Sequence, residues 1–392
     1  MTATTRALRI GIDVRYLSHG LVGGVHTYVS RLVPALLEAA SDQTFLLYAD
    51  SKAPLELELA STPGVIVRTM PWRHQGSSVW NDAMIGRWMA GDGVDVAFFP
   101  ANYGFGPAGA ASVVTVHDAI NLLPLRHTLF VRGHAATLRT NVMTVYLHLA
   151  TVRAVCRATR LITMSGYSRD TIVEACTRRP EDIDVVYHGA PPRVAVTAND
   201  VRAAAAAHGI TTPYVLADGL KNPGVILRAA ARLPADRQRA LTFVFFARHA
   251  DVLPVLQAAV AAGEARLLVR PSTETLAALY AGAAVFAFPS WVEGFGIPLL
   301  EAMTYGAPIV ASDRGAIPEV AGDAARFVGA EDDAALSDQL LRITGDPADA
   351  DRLRRAGAAR VSEFTWRRSA EQTLAALRRA HADRMAARQG AR

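Results

Sequence analysis

The sequence predicts an α/β protein built from two Rossmann-like, doubly wound parallel-sheet domains. Three observations lead there. The chain has 392 residues, too many for one ordinary core and suited to two of roughly 180. Short β-rich runs alternate with helical stretches from end to end, the pattern of parallel strands flanked by helices. The alternation breaks once, near the middle, which splits the chain into halves of similar size.

In order, the first series of strands is Arg9–Asp13, Thr44–Ala49, Val65–Met70, Asp95–Pro100, Ser112–His117, Leu161–Met164 and Asp184–Tyr187. After His188 the pattern gives way to Gly189-Ala190-Pro191-Pro192 and an alanine-rich stretch from Val201 to His208, and the boundary is placed between 190 and 212. The second series is Tyr214–Ala217, Leu241–Ala247, Ala265–Val269, Ala284–Pro289 and Pro308–Ser312, with helices between. The tail after Trp366 reads as one long arginine- and alanine-rich helix, packing back on the domains or exposed. The expected domains are residues 1–195, 196–365 and a terminal helix 366–392. Two cores imply a cleft between them.

Half of the residues are apolar and a fifth charged, as in an ordinary globular protein. The two cysteines, Cys156 and Cys176, form no CxxC and have no histidine at metal-ligand spacing, so neither a disulfide framework nor a zinc site is indicated. Met1 to Leu8 lacks an apolar signal core, and no apolar run approaches the roughly 18 residues of a membrane span. The expected location is the cytoplasm. The net charge of +5 is unevenly distributed. Between Asp118 and Asp170 there is no acidic residue, whereas Arg126, Arg132, Arg139, Arg153, Arg157, Arg160 and Arg169 all fall there. Leu129, Leu138, Val142, Val145, Leu149 and Val152 recur near helical spacing in the same stretch. This is either a basic amphipathic surface facing anionic lipid at the inner membrane face or a solvated arginine face. Without aromatic-interleaved basic motifs or a helix-turn-helix pattern, nucleic acid is not an expected partner.

The most informative segment is Ser290-Trp-Val-Glu293-Gly294-Phe295-Gly296-Ile-Pro298-Leu-Leu-Glu301-Ala-Met303. It follows an apolar strand and opens a helix, with Pro298 suited to the first turn. A glycine-rich turn exposes backbone N–H groups, and a helix N-terminus receives an anion, diphosphate above all. The flanking carboxylates would repel phosphate unless they accepted hydrogen bonds from hydroxyls, which sugar and ribose supply. A tight turn with Glu301 favourably placed on the helix dipole is the plainer reading. Gly23-Gly24-Val25 after the first strand allows close backbone approach at the carboxyl edge of a sheet, although a simple glycine turn accounts for it too. His117, at the end of Val113-Val-Thr-Val, is placed to bond a substrate hydroxyl or serves a structural role. Lys221-Asn222 follows the first strand of the second domain, where a cation would neutralise a departing diphosphate or merely be solvated.

Other chemistries find less support. Gly166-Tyr-Ser168-Arg-Asp170 lacks the second glycine of a nucleophile elbow. The pairs Asp182/Asp184 and Asp349/Asp351 lie outside the glycine-rich cleft, so no metal site is expected. No phosphate-binding lysine loop of the NTPase type is present.

Taken together, these segments resemble family 4 glycosyltransferases of the GT-B fold over about residues 9–365. The pair Glu293 and Glu301 in Glu-Gly-Phe-Gly-Ile-Pro-Leu-Leu-Glu-Ala-Met is the most specific match. Gly23-Gly24-Val25, Val-His117-Asp118, Ile162-Thr-Met-Ser165 with Ser168, Tyr187-His188-Gly189, Lys221-Asn222 and Pro318-Glu319-Val320 accompany it. The resemblance implies a retaining hexosyltransferase, with mannose a candidate, acting without metal or cofactor in polysaccharide biosynthesis. The donor would be a GDP-, UDP- or dTDP-sugar, and the acceptor a glycan, lipid-linked or small molecule. It further implies that Glu293 bonds the donor sugar, that Gly294, Phe295 and Gly296 offer N–H groups to sugar or diphosphate, and that Glu301 holds the ribose. Lys221 would meet the diphosphate, Gly23 and Gly24 would approach the phosphates, and His117 would contact the transferred sugar.

One departure stands out. The family carries an arginine after the glycine that ends the strand before its lysine, but here Asp218-Gly219-Leu220-Lys221 has none. Arg248 or Arg270, each after a later strand, is the expected replacement for this diphosphate cation. Two other readings remain open: a GT-B sugar-nucleotide epimerase, and a non-catalytic sugar-nucleotide binding protein.

Overall fold

The computed structural model describes residues 7–18, 24–57, 63–125 and 138–390. The chain divides into two compact units, Met1–Gly189 with Thr365–Arg392, and Ala190–Phe364. Each holds one parallel sheet.

In the first unit the strands are β1 (Arg9–Asp13), β2 (Thr44–Asp50), β3 (Val65–Met70), β4 (Val96–Phe99), β5 (Ala111–Thr115), β6 (Arg160–Thr163) and β7 (Ile183–Val185). They lie in the order β3-β2-β1-β4-β5-β6-β7, every pair parallel. The second unit holds β8 (Tyr214–Asp218), β9 (Thr242–Ala247), β10 (Ala265–Val269), β11 (Val285–Phe288), β12 (Ile309–Ser312) and β13 (Ala325–Val328) in the order β10-β9-β8-β11-β12-β13. Both sheets reverse their winding beside their first strand, at β1/β4 and at β8/β11. Open parallel sheets bind ligands outside the carboxyl ends of the strands at such points.

The strand interiors are covered on both faces, so they read as apolar runs without alternation: β4 (Val-Ala-Phe-Phe) and β11 (Val-Phe-Ala-Phe) are buried at every residue. β13 escapes that signal. It is an edge strand whose Arg326 and Phe327 are not buried, and Arg326 is paired with Asp349 at 2.6 Å.

The first helix, Gly24–Ala39, buries Tyr28, Val29, Leu32, Val33, Leu36 and Leu37, a stripe at helical spacing. The last, Trp366–Gly390, belongs to the same unit and buries Ala370, Thr373, Leu374, Ala376, Leu377 and Ala380 in one core with those residues. Its alanines let it lie close to the first helix, and Ser369 Oγ donates to the Tyr187 carbonyl at 2.6 Å. The basic stretch is represented by the helix Leu138–Arg157. Arg126, Leu129 and Arg132, which the sequence reading also used, lie outside the described residues.

Candidate functional site

In the second unit the winding reverses between β8 and β11, and the two loops that leave those strands hold Lys221 and Glu293. A tight turn follows β8: Leu220 N–H donates to Asp218 Oδ1 at 2.9 Å and Lys221 N–H to the Asp218 carbonyl at 3.0 Å. Asn222 then takes a left-handed conformation (φ 54°), which asparagine tolerates better than most residues. Its Nδ2 donates to the carbonyls of Pro289 at 3.1 Å and Ala330 at 2.7 Å. The buried amide therefore ties the end of β8 to the end of β11. That tie brings Lys221 Nζ to 2.7 Å from Glu293 Oε1.

Glu293 Oε1 also accepts from Ser290 Oγ at 2.8 Å. Its backbone is pinned as well, because Ala316 N–H donates to the Glu293 carbonyl at 3.0 Å. Gly315 has φ +61°, and a Cβ there would lie 2.6 Å from the Glu293 carbonyl oxygen, so only glycine allows this approach. Gly296, at φ 100°, precedes the helix Ile297–Tyr305 and has no side chain to cap it, while Pro298 sits in the first turn. The turn 294–296 is thus followed by the positive end of a helix dipole. Phe295 is buried and meets Phe364 edge-on, with ring centroids 5.9 Å apart, which anchors the turn.

Glu301 lies on the same helix, and Tyr280 O–H donates to its Oε2 at 3.0 Å. Burial pushes this carboxyl up to about 7; Tyr280 opposes the rise, Asp218 adds to it and Arg248 opposes it. Asp218 is likewise raised by burial, with opposing contributions from the Leu220 N–H, Lys221 and Arg248. Arg248, exposed after β9, therefore acts on both Asp218 and Glu301. Arg270, exposed after β10 in a left-handed conformation (φ 51°), figures at neither carboxyl. Of the two substitute cations expected from sequence, Arg248 is the one whose charge reaches this cluster.

In the first unit, Gly24 opens its helix, and a Cβ there would meet nothing within 4 Å. Packing does not demand glycine at this position. Gly23 lies outside the described residues. His117 sits two residues beyond β5, its N–H bonded to Asn102 Oδ1 at 2.7 Å and its Nε2 2.8 Å from the Pro100 carbonyl. A carbonyl only accepts, so Nε2 carries the proton and Nδ1 presents a lone pair. Burial lowers the His117 pKa, so the ring is neutral. Tyr28 stands edge-on to His117 and His188 at 4.9 and 5.0 Å. His188 is driven down to about 3, by burial first and then by His117.

Beside β1, Arg15 bonds Asp13 through Nε at 2.9 Å and Nη2 at 2.7 Å, and reaches Asp82 Oδ1 at 2.7 Å. Asp82 Oδ2 accepts from Tyr103 at 3.3 Å and from Tyr146.

Sequence reasoning gave no role to Asp218 or Ser290 and did not name Tyr280, Gly315 or this Arg15 network. Ser290 is three residues from Glu293 and was legible as a local partner; Tyr280 and Gly315 come from other elements and were not. Ser165 caps the helix Gly166–Ala175 by accepting from Ser168 N–H at 3.0 Å. Asp184 pairs with Arg160 and Arg379, and Asp349 with Arg326 and Arg352.

The chain matches the family described as Glycosyltransferase Family 4 over residues 22–194, and that described as Glycosyl transferases group 1 over residues 215–346. An MMP alpha-(1->4)-mannosyltransferase of Mycolicibacterium hassiacum is 34% identical over 233 residues, 56% of this chain and 54% of that protein. A D-inositol 3-phosphate glycosyltransferase of Mycobacterium leprae is 30% identical over 296 residues, 71% of this chain and 66% of that one. The matches thus span roughly half to two thirds of these relatives' length. Among solved structures, the Anabaena protein HepE in complex with UDP-glucose superposes with a TM-score of 0.66 at 17% identity, covering 94% of this chain and 100% of that one. At that identity the likeness concerns the fold, which is GT-B.

Proposed function

The chain belongs to glycosyltransferase family 4, and from that membership we propose that it is a retaining hexosyltransferase using a nucleotide-sugar donor. The observation that carries the reading is the convergence of Lys221, Glu293 and the glycine-rich helix start at the winding reversal of the second unit. In this reading the second unit is the donor domain. The N–H groups of Gly294, Phe295 and Gly296 face the diphosphate or the sugar, and Lys221 leaves Glu293 to neutralise the phosphates. Glu293 then accepts from hexose hydroxyls, and Glu301 from the ribose. Arg248 supplies the second cation, ahead of Arg270.

The first unit is the acceptor domain, and His117 offers its Nδ1 lone pair to a hydroxyl of the transferred sugar. Gly24, with Gly23 before it in the sequence, is assigned to the phosphates, and no Cβ obstructs the start of the first helix at Gly24. The diphosphate departs with its charge held by these donors and cations, and the acceptor attacks from the same face. No metal takes part. The physical demand is charge stabilisation, not a strong nucleophile.

Mannose is the first candidate hexose, because the relatives include mannosyltransferases. The acceptor is a glycan, lipid-linked or small molecule. We also place the chain at an anionic membrane surface, since Val142, Met143 and Leu149 are exposed on the helix that carries Arg153 and Arg157. No helix among the described residues is long and apolar enough to cross a membrane.

The deciding experiment is a thermal-shift screen of GDP-, UDP- and dTDP-sugars in EDTA, followed by NMR of the product anomer. A rise in Tm with one donor and retention at the anomeric carbon are expected. No shift with any nucleotide would end the donor assignment, and donor turnover without acceptor would favour epimerisation. For the membrane, pelleting with anionic vesicles should weaken as salt rises.

A further inference from the structure

A basic concavity lies in the first unit, toward the opposite end of β5 from His117. It has a volume of about 790 Å³ and sits among the helix Gly76–Gly91, the loop before β5, the end of the helix Leu138–Arg157 and the terminal helix. Arg87, Arg153, Arg157 and Arg384 line it, and no lining side chain is acidic. The rest of the wall is mostly small, with Gly86, Ala154 and Ala158 leaving room beside the guanidinium groups.

Its place in the sheet separates it from the proposed reaction. Ser112, at the start of β5, and Thr159, just before β6, line the concavity, whereas His117 follows the end of β5. The two are five positions apart along extended chain, roughly 16 Å at the usual rise.

The local carbonyls are also prepared for an anion. A helix ending at Arg157 presents its negative pole there, which would repel phosphate. Just past that helix end, Arg178 donates to the carbonyls of Ala158 and Thr159 at 3.0 and 3.1 Å, and its positive charge offsets the pole. Arg384 Nη2 donates to the Ala108 carbonyl in the loop before β5. Its Nε is buried, without a hydrogen-bond partner among the described residues, so protein packing fixes how this guanidinium lies at the wall of the concavity. Arg153 is held over the Phe105 ring at 5.8 Å, which orients its guanidinium.

We propose that this concavity is a binding site for a phosphate ester, gripped by Arg153, Arg157 and Arg384 and distinct from the donor site. Guanidinium groups match phosphate oxygens in a fork geometry, which suits this ligand better than a carboxylate-poor solvated face would require. The ester is either a soluble organic phosphate or the headgroup of an anionic lipid. The second source rests on the membrane reading; the first does not.

The test uses the full chain with glycerol 3-phosphate as the soluble probe and phosphatidylcholine vesicles with or without phosphatidic acid. Calorimetry should show glycerol 3-phosphate binding, undiminished by a saturating nucleoside diphosphate. The Arg153→Gln/Arg157→Gln pair should weaken it roughly tenfold or more, the loss of charge-assisted bonds. Arg384→Gln, on a different helix, should weaken it independently, and melting curves check that both variants fold. Binding only to vesicles containing phosphatidic acid, with the same arginine dependence, assigns the site to a headgroup. If neither probe binds, or if both bind the folded variants as they bind the parent, the proposal is overturned. Nucleotide binding reads out the donor assignment separately, so failure of one leaves the other legible.

Discussion

Lys221 Nζ and Glu293 Oε1 lie 2.7 Å apart, joining the loops that leave β8 and β11. The residue assigned to the donor's phosphates and the residue assigned to its hexose hydroxyls thus bond each other. Donor binding must break that pair, so each residue competes with the other's ligand. Lys221→Ala should raise the Kd for a nucleoside diphosphate roughly tenfold to a hundredfold, the worth of one charge-assisted bond. Glu293→Gln should leave that Kd unchanged or lower it, because Lys221 is released, yet it should weaken the intact sugar nucleotide and depress kcat. Calorimetry with both ligands decides; equal losses in the two variants would contradict the competition.

Glu301 has a folded-state pKa of about 7 because of burial. The sign follows from linkage: between the unfolded value and about 7 the native state holds the extra proton, so stability falls as pH rises through that window. The penalty above it is on the order of 3 kcal/mol, from about 1.4 kcal/mol per unit. Glu301→Gln should flatten the slope of unfolding free energy between pH 5 and 8. Donor affinity should instead rise with pH across the same range, since the ribose needs the ionised acceptor. Denaturant titrations and donor Kd values at four pH values test both, and a donor affinity independent of pH would count against the ribose role.

His188 behaves oppositely. Its pKa is depressed to about 3 by burial and by His117, so it stays neutral in the fold while the unfolded chain protonates below its ordinary value. Stability from this group is present above about pH 6.5 and is lost as pH falls toward 3. His188→Asn should be less sensitive than the parent to acid over that interval. Melting curves from pH 4 to 7 show it, and parallel slopes would refute the assignment.

Gly315→Ala adds a Cβ that would lie 2.6 Å from the Glu293 carbonyl oxygen and 2.8 Å from its nitrogen, at a backbone φ of +61°. The strain should cost about 1–3 kcal/mol of stability. Because the atoms displaced belong to Glu293, donor affinity should fall although no group touching the donor has been removed. A folded variant with parental donor affinity is the contrary outcome.

Asp82→Ala should destabilise the protein by about 3–5 kcal/mol, the cost of removing one partner from a buried ionic network. The variant leaves the hydroxyls of Tyr103 and Tyr146 without their carboxylate and Arg15 with Asp13 alone. Urea unfolding measures it. A change below about 1 kcal/mol would show the network to be solvated.

By itself the amino-acid order determined the two parallel sheets, since buried strands such as Val285–Phe288 announce themselves as apolar runs between helices. It also marked Lys221, Glu293 and Glu301, because a glycine-rich helix start with flanking carboxylates is a local pattern. β13 was missed because an edge strand whose Arg326 and Phe327 are not buried carries no such run. Only the tertiary structure decided that Arg248, not Arg270, acts on the carboxyl cluster, that Tyr280 meets Glu301, and that Gly315 makes room for Glu293. The reason is physical: distance and burial set charge coupling and steric fit, and both depend on elements brought together from distant parts of the chain.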